Sequence, residues 1–220
     1  MYTEKYMKTK SKTAYLIRNI GVLRFVPIIM LDAVALAMIV LSAASRTDMW
    51  EIENDFLMIS QYIFPLFSVW WSVFVLREFI ESDGNEVFYA AGLTNIMLQA
   101  LKPFLLLLAN IAVLMTVCTV IDVHFVIEFA RIFSACIFYF GLVYFVSMCF
   151  KSTAIALFSV IIYTILCAVI RTMDVKFPLF MSTNVLELSD LLTLCLPLLL
   201  VGIALMIIGR FVEKRFFTFN

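Results

Sequence analysis

The residue types that most often carry out chemistry are few in this sequence. His124 is the single histidine, which excludes metalloprotease motifs built on paired histidines. The chain has no Gly-x4-Gly-Lys-Ser/Thr phosphate-binding loop and no Gly-x-Ser-x-Gly nucleophile elbow. The five cysteines form no Cys-x-x-Cys pair, so no zinc site is indicated. We therefore expect no catalytic residue, no metal site and no bound cofactor, and no enzymatic activity of the chain alone.

Ionisable residues in or near apolar runs are the remaining candidates. Asp32 lies inside such a run, where a carboxylate is costly, so it faces either a transport path or a hydrogen-bonding group of a neighbouring helix. The other candidates follow an apolar run closely: Asp122, His124, Glu128 and Arg131. They can form a proton-sensitive or substrate-contacting site, or an interfacial charge network that caps two helices. The network is the favoured interpretation, because membrane interfaces collect such residues.

The composition indicates the protein class. Hydrophobic residues make up 64% of the chain and charged residues only 15%, whereas soluble domains are about half apolar and a quarter charged. The formal net charge is zero, which argues against nucleic acid as a partner, since such proteins usually carry a basic surplus. We therefore expect membrane lipid to surround the protein.

Apolar runs of roughly 20 residues are long enough to cross a hydrocarbon core of about 30 Å. We predict an all-α polytopic membrane protein in which residues 25–209 form six transmembrane helices. Pro65 is expected to kink its helix and not to end it, because lipid offers no water to a broken helix. The predicted spans are 25–44, 56–76, 103–121, 129–150, 153–170 and 191–209.

Basic residues predict the orientation. Residues 1–24 are polar and basic, and their periodicity predicts an amphipathic interfacial helix before the first span. Residues 210–220 form a second basic tail. With six spans, 12 of the 16 Lys and Arg residues fall on the side of both termini, which the positive-inside rule makes cytoplasmic. The expected location is a bacterial-type plasma (inner) membrane.

Residues 77–102 form the one long charged stretch between two spans. Asp83 can act as an N-cap, and Glu86, three residues later, completes the pattern of a capping box. Gly92 suits a helix end. The pattern predicts a short cytoplasmic helix held between the second and third spans.

This stretch resembles the coupling region of type 2 ABC permeases, the membrane subunits of ATP-binding-cassette exporters. In that family an acidic residue after the second span precedes Gly-x-Glu and an apolar segment, and a Lys opens the third span. The family often has a Pro-hydroxyl pair after the apolar segment, of which Thr94 keeps only the hydroxyl. The matching residues are Glu78, Gly84-Asn85-Glu86, Val87-Phe88-Tyr89 and Lys102.

The resemblance implies a permease that couples ATP hydrolysis by a separate subunit to export. Its ATPase-coupling residues would be Glu78, Gly84, Glu86, Phe88 and Tyr89. Two ATPase subunits, which bind ATP and Mg²⁺, would assemble with this chain and a second permease, either another copy or a different chain. A Phe-rich bundle favours an apolar or amphipathic substrate, such as a peptide, an antibiotic or a lipid-like molecule.

Three other functions remain open at this stage. An ion-gradient-driven transporter would use Asp32, and its transport would be abolished by Asp32→Asn. A membrane immunity or scaffold protein would bind a partner without transport. A membrane-embedded enzyme is disfavoured by the missing His and Cys constellations.

Overall fold

The structure is a computed structural model that describes residues 25–44, 60–82, 95–121, 125–171 and 191–217. All regular secondary structure in these ranges is helical, which confirms the predicted all-α class. The second helix, α2, covers Ser60–Ile80 with a turn at Val69 that precedes its second part, Trp70–Ile80. A π-helical turn, Leu191–Cys195, leads into the last helix. The other helices are α1, Val26–Ala44; α3, Ile96–Ile121; α4, Phe125–Phe150; α5, Thr153–Arg171; and α6, Leu196–Phe217.

Five helices within the described ranges are long and apolar enough to cross a membrane. At 1.5 Å per residue, each covers most or all of a hydrocarbon core of about 30 Å. α1, Val26–Ala44, is apolar too, but it is not one of these five helices. This is the pattern of a multi-pass membrane protein. The five candidate spans are Ser60–Ile80, Ile96–Val117, Val126–Phe150, Thr153–Ile170 and Leu191–Arg215.

α4 is the central helix of the bundle. It is the most buried of the five candidate spans and packs against α6, α5 and α3. α5 and α6 instead turn large apolar side chains outward, and Phe158 and Phe211 are each about two-thirds exposed. Apolar side chains on the outside of a bundle suit a lipid environment, where they cost nothing to expose.

Glycine residues let α4 and α6 approach closely. A Cβ atom on Gly141 of α4 would overlap the carbonyl oxygen of Gly202 on α6. A Cβ atom on Gly202 would lie 2.7 Å from the Cα atom of Phe138. Gly209, two turns further along α6, faces the ring of Tyr144. Small residues at a helix crossing in a membrane allow such backbone contact.

Two helix bounds differ most from the predicted spans. α3 begins at Ile96, so Pro103 lies inside the helix instead of opening it. α6 continues to Phe217, so most of the predicted tail at 210–220 is helical. Hydropathy marks only the lipid-crossing part of a helix, whereas the backbone hydrogen bonds of a helix continue as long as its ends are satisfied.

Pro65 does not end the second span. Residues 60–68 are helical around it, the turn follows at Val69, and the helix resumes to Ile80. The hydroxyl of Ser68 donates to the carbonyl oxygen of Pro65 at 2.7 Å. Trp71 is buried and packs edge-on against Phe25 with ring centroids 5.1 Å apart.

Candidate functional site

The structure describes both edges of the stretch that carries the predicted coupling residues. Residues 77–80 continue α2, and residues 96–102 form the first turns of α3. Glu78 is half-buried in the last turn of α2, and its backbone carbonyl accepts a hydrogen bond from Ser82 Oγ at 2.5 Å. The other predicted coupling residues lie outside the described residues: Gly84, Glu86, Phe88 and Tyr89.

A polar groove of about 390 Å³ lies at the end of α2, lined by Arg77, Glu78, Glu81 and Ser82. Arg77 has a side chain that is 60% exposed, and its Nε atom lies 3.6 Å from Glu81 Oε2. Exposed ion pairs one helical turn apart contribute only a few tenths of a kcal/mol. The groove therefore presents a positive and a negative side chain, and the ion pair between them is weak.

Glu81 joins the end of α2 to the start of α5. Its Oε1 atom accepts hydrogen bonds from the backbone amide of Thr153 at 2.5 Å and from the Thr153 hydroxyl at 3.0 Å. Thr153 is the first residue of α5, and α4 ends only at Phe150. The short connection contains Lys151 in the left-handed conformation, with φ of 51°. A carboxylate from α2 thus caps α5 directly after this tight turn.

The first four amides of α3 all have acceptors. Asn95 supplies the local cap: its side-chain oxygen accepts from Leu98 N at 3.0 Å, and its backbone carbonyl accepts from Gln99 N at 3.2 Å. Ile96 N and Met97 N donate instead to a residue distant in sequence, the carboxylate of Glu213 near the end of α6, at 3.1 and 3.3 Å. The amides at the start of α3 therefore have two acceptor residues, the local cap Asn95 and the distant Glu213.

Glu213 is only 3% exposed, and both of its oxygens are fully engaged. Its Oε1 atom accepts from Ile96 N and pairs with Arg210, one turn back on α6. Its Oε2 atom accepts from Met97 N and from the hydroxyl of Tyr144 on α4. A buried carboxylate is tolerated when its lone pairs are satisfied and a cation is near. Glu213 therefore ties α3, α4 and α6 together.

These contacts define one end of the bundle, which we name the capped end: the end where α2 and α6 finish and α3 and α5 begin. Glu81 fixes residue 153 to the chain just before residues 83–94, and Glu213 fixes residues 96 and 97 just after them. Ser72 adds a hydrogen bond from α2 to the carbonyl oxygen of Ala100 on α3, at 3.0 Å. The predicted coupling segment is thus held to the bundle at both of its edges.

Asp32 is half-buried in α1 and accepts a hydrogen bond from Asn110 Nδ2 on α3 at 2.9 Å. The sequence left open whether Asp32 faces a transport path or a polar group of a neighbouring helix. The structure supplies the neighbouring group, Asn110. Interhelical hydrogen bonds of this kind contribute about 0.6 kcal/mol on average in a membrane.

We expect Asp32→Asn to unfold at nearly the wild-type free energy, because its side-chain oxygen can still accept from Asn110. Asp32→Leu should lose about 0.6 kcal/mol or somewhat more, because the Asn110 amide then lacks this acceptor. Unfolding in mixed detergent–denaturant micelles measures both. In a double-mutant cycle, Asn110→Leu should add little once Asp32→Leu is present. Equal damage from Asp32→Asn and Asp32→Leu would contradict a hydrogen-bonding role.

Glu128 and Arg131 lie in the first two turns of α4, at the end opposite its Tyr144. Both side chains are fully buried, and Arg131 Nη1 lies 3.3 Å from Glu128 Oε2. Two of the four residues of the predicted outer-face cluster therefore form a buried ion pair. The other two, Asp122 and His124, lie outside the described residues.

Sequence reasoning missed Glu81, Glu213 and Asn110. Local spacing carried part of the signal, since Arg77 and Glu81 are four residues apart and Arg210 and Glu213 are three apart, the distances of neighbours on a helix face. No local pattern indicates that Glu213 contacts the start of α3, which is more than 100 residues away.

Comparison with known proteins finds no relative. No protein-family model, no curated protein and no solved structure matches this chain. Within the described ranges, no three His, Cys, Asp or Glu side chains are placed to hold a metal ion. A function for this chain therefore has to be inferred from its own residues, chiefly those at the capped end.

Proposed function

We propose that this chain is the permease subunit of an ABC exporter, similar to the type 2 permeases, and that residues 83–94 receive force from a separate ATPase. The observation that carries the proposal is the capped end. The segment with the Gly84-Asn85-Glu86 motif is joined to the bundle on one side through Glu81 and on the other through Glu213. A segment pushed by a partner must be held at both edges if its displacement is to reach the spans.

The proposed partner supplies the nucleotide chemistry. This chain carries no phosphate-binding loop, so ATP and Mg²⁺ would bind the partner subunit. Glu78 and Glu86 would make charge contacts with it, and Phe88 and Tyr89 would be its apolar anchors, since aromatic side chains often dominate such interfaces. The working complex would contain two permeases and two ATPases.

The proposed topology has six spans, with α1 as the first. The capped end would be cytoplasmic together with both termini, because it lies on the side that holds 12 of the 16 Lys and Arg residues. Residues 1–24 would form the interfacial helix that braces α1. The transported molecule would be apolar or amphipathic, in keeping with a bundle that contains 22 phenylalanines.

An ion-gradient-driven transporter is the second candidate, and the observation that favours it is the half-buried carboxylate of Asp32 within α1. Such a transporter would bind and release its coupling ion at this carboxylate, which the Asn110 amide orients. The two candidates differ in their need for an ATPase and in their response to Asp32→Asn. Only the gradient-driven transporter loses all transport in Asp32→Asn.

We expect an ATPase with a phosphate-binding loop to co-purify with the tagged wild-type chain from its native membrane in mild detergent. Reversing the charge in Glu86→Lys should remove at least about nine-tenths of it, because a misplaced charge at an interface costs several kcal/mol. Quantitative mass spectrometry of the purified complex measures the ratio. Glu53→Lys is the matched control, since it makes the same charge change in a loop predicted to lie on the opposite side of the membrane.

The outcomes separate the candidates. An ATPase retained in Glu86→Lys would agree with the permease proposal and would limit the role of Glu86 to capping its helix. Absence of an ATPase from a folded wild-type preparation would contradict the permease proposal and favour the gradient-driven transporter. Loss of the ATPase in Glu53→Lys as well would mean that charge reversal disturbs the membrane protein in general.

A further inference from the structure

We infer that Glu81 and Glu213 are two intramolecular latches that make the edges of residues 83–94 move as one body with α5 and α6. The role of this movement in transport rests on the proposed function. The latches themselves are defined by hydrogen bonds between described residues. Neither glutamate belongs to the motif that resembles the permease family. They are positioning residues, because they act on the coupling segment through the helices that they join.

The Glu213 latch is more than a helix cap. α3 already has Asn95 as its local N-cap, and Asn95 satisfies the amides of Leu98 and Gln99. The two remaining amides, of Ile96 and Met97, could equally be satisfied by water at a helix end. They are satisfied instead by a buried carboxylate from the far end of the chain, which fixes the start of α3 to the end of α6.

The charge of Glu213 makes this joint strong and directional. A carboxylate at a helix N-terminus interacts favourably with the helix dipole, and hydrogen bonds to a charged group are about twice as strong as neutral ones. Arg210 and Tyr144 hold the carboxylate in place from α6 and α4. The start of α3 cannot shift relative to α6 without breaking two hydrogen bonds from backbone amides to the Glu213 carboxylate, which is only 3% exposed.

The Glu81 latch repeats this arrangement at the other edge. Glu81 is the C-cap residue of α2, and its carboxylate receives both the amide and the hydroxyl of Thr153 at the start of α5. Thr153 is buried, whereas the Glu81 side chain is 29% exposed. A pull on residue 83 would therefore reach α5 through Glu81, and a pull on residue 94 would reach α6 through Glu213.

Amide hydrogen exchange tests the latches directly. In Glu213→Ala, exchange at Ile96 and Met97 should accelerate about tenfold or more, because each amide loses a hydrogen bond to a charged group. Glu81→Ala should do the same at Thr153. Glu213→Gln keeps one acceptor oxygen, so its exchange rates should fall between those of the wild type and Glu213→Ala.

Two exposed neighbours provide matched controls. Lys214→Ala trims the next residue on α6, and Arg77→Gln removes the ion-pair partner of Glu81 while leaving the carboxylate on Thr153. Both should leave exchange at the three amides within about twofold of the wild type. Unchanged exchange in both Glu213→Ala and Glu81→Ala would overturn the inference.

Movement is tested with spin labels at Leu98 and Lys214, two exposed residues on either side of the Glu213 latch. In the wild type the distance between the labels should be narrowly distributed and stay so when ATP and Mg²⁺ are added to the co-purified complex. In Glu213→Ala the distribution should broaden, and ATP should change the distance because the two helix ends no longer move together. A distribution as narrow in Glu213→Ala as in the wild type would also overturn the inference.

Failure of the proposed function gives a different result. If no ATPase co-purifies with the wild type, the permease proposal fails. The exchange rates and the distance distribution without nucleotide still decide whether Glu81 and Glu213 act as latches.

Discussion

Glu128→Leu should lower the free energy of unfolding by about 3–5 kcal/mol, because it leaves the Arg131 guanidinium fully buried without its carboxylate. Arg131→Leu should cost a similar amount, because it removes the cation that pairs with the buried Glu128 carboxylate. A buried charge is costly to keep away from water when an opposite charge beside it is lost. Unfolding in mixed micelles, followed by tryptophan fluorescence, measures the change.

The double variant Glu128→Leu/Arg131→Leu tests whether the two side chains stabilise the protein as a pair. We expect it to be far more stable than either single variant, since replacing both ions of a buried pair with apolar side chains is often neutral or stabilising. Arg77→Leu is the control, because that side chain is 60% exposed and its pairing with Glu81 should contribute less than about 1 kcal/mol. Additive effects of the two core changes would refute the pairing.

Gly141→Ala should destabilise the protein by about 3 kcal/mol or more, at or above the upper end of the usual cost of overpacking. The new methyl group would overlap the carbonyl oxygen of Gly202, a backbone atom that cannot rotate away. α4 and α6 would have to separate, and α4 is the helix on which the bundle packs. Thermal unfolding in detergent, with size-exclusion chromatography as the readout of folded protein, measures the loss.

A graded series checks that the backbone contact is the cause. Gly209→Ala should cost less than Gly141→Ala, because its methyl group would meet chiefly the ring of Tyr144, and the nearest backbone atom, Phe145 Cα, would be 3.2 Å away. Ala154→Leu adds a larger side chain at an exposed position of α5 and should change stability by less than about 0.5 kcal/mol. If Gly141→Ala behaved like Ala154→Leu, the close approach of α4 and α6 would be disproved.

Several parts of the fold follow from local sequence alone. Long apolar runs with few charges permit helices and little else in lipid, since a helix satisfies its own backbone. α4 ends at Phe150 and α5 begins at Thr153, where the predicted fourth span ends and the predicted fifth span begins, and α2 continues past Pro65. The remaining predictions about six spans, orientation and the short coupling helix within residues 77–102 stay predictions.

The ends of α3 and α6 show where local reasoning stops. Hydropathy placed the start of the third span at Pro103 and the end of the sixth at Gly209, because it detects only the part of a helix that lipid can surround. α3 begins earlier, at Ile96, and α6 ends later, at Phe217. The amide of Ile96 donates to Glu213, which only a folded chain can bring there.

Composition and hydrophobic run length by themselves determined that this protein is an all-helical membrane protein, because burying apolar surface and satisfying the backbone in lipid depend on local sequence. Tertiary structure alone decided which residues of different helices contact each other. It paired Asp32 with Asn110, set Glu213 on the start of α3 and brought Gly141 against Gly202. Such pairs join residues far apart in the chain, and their energies depend on distances that no local pattern contains.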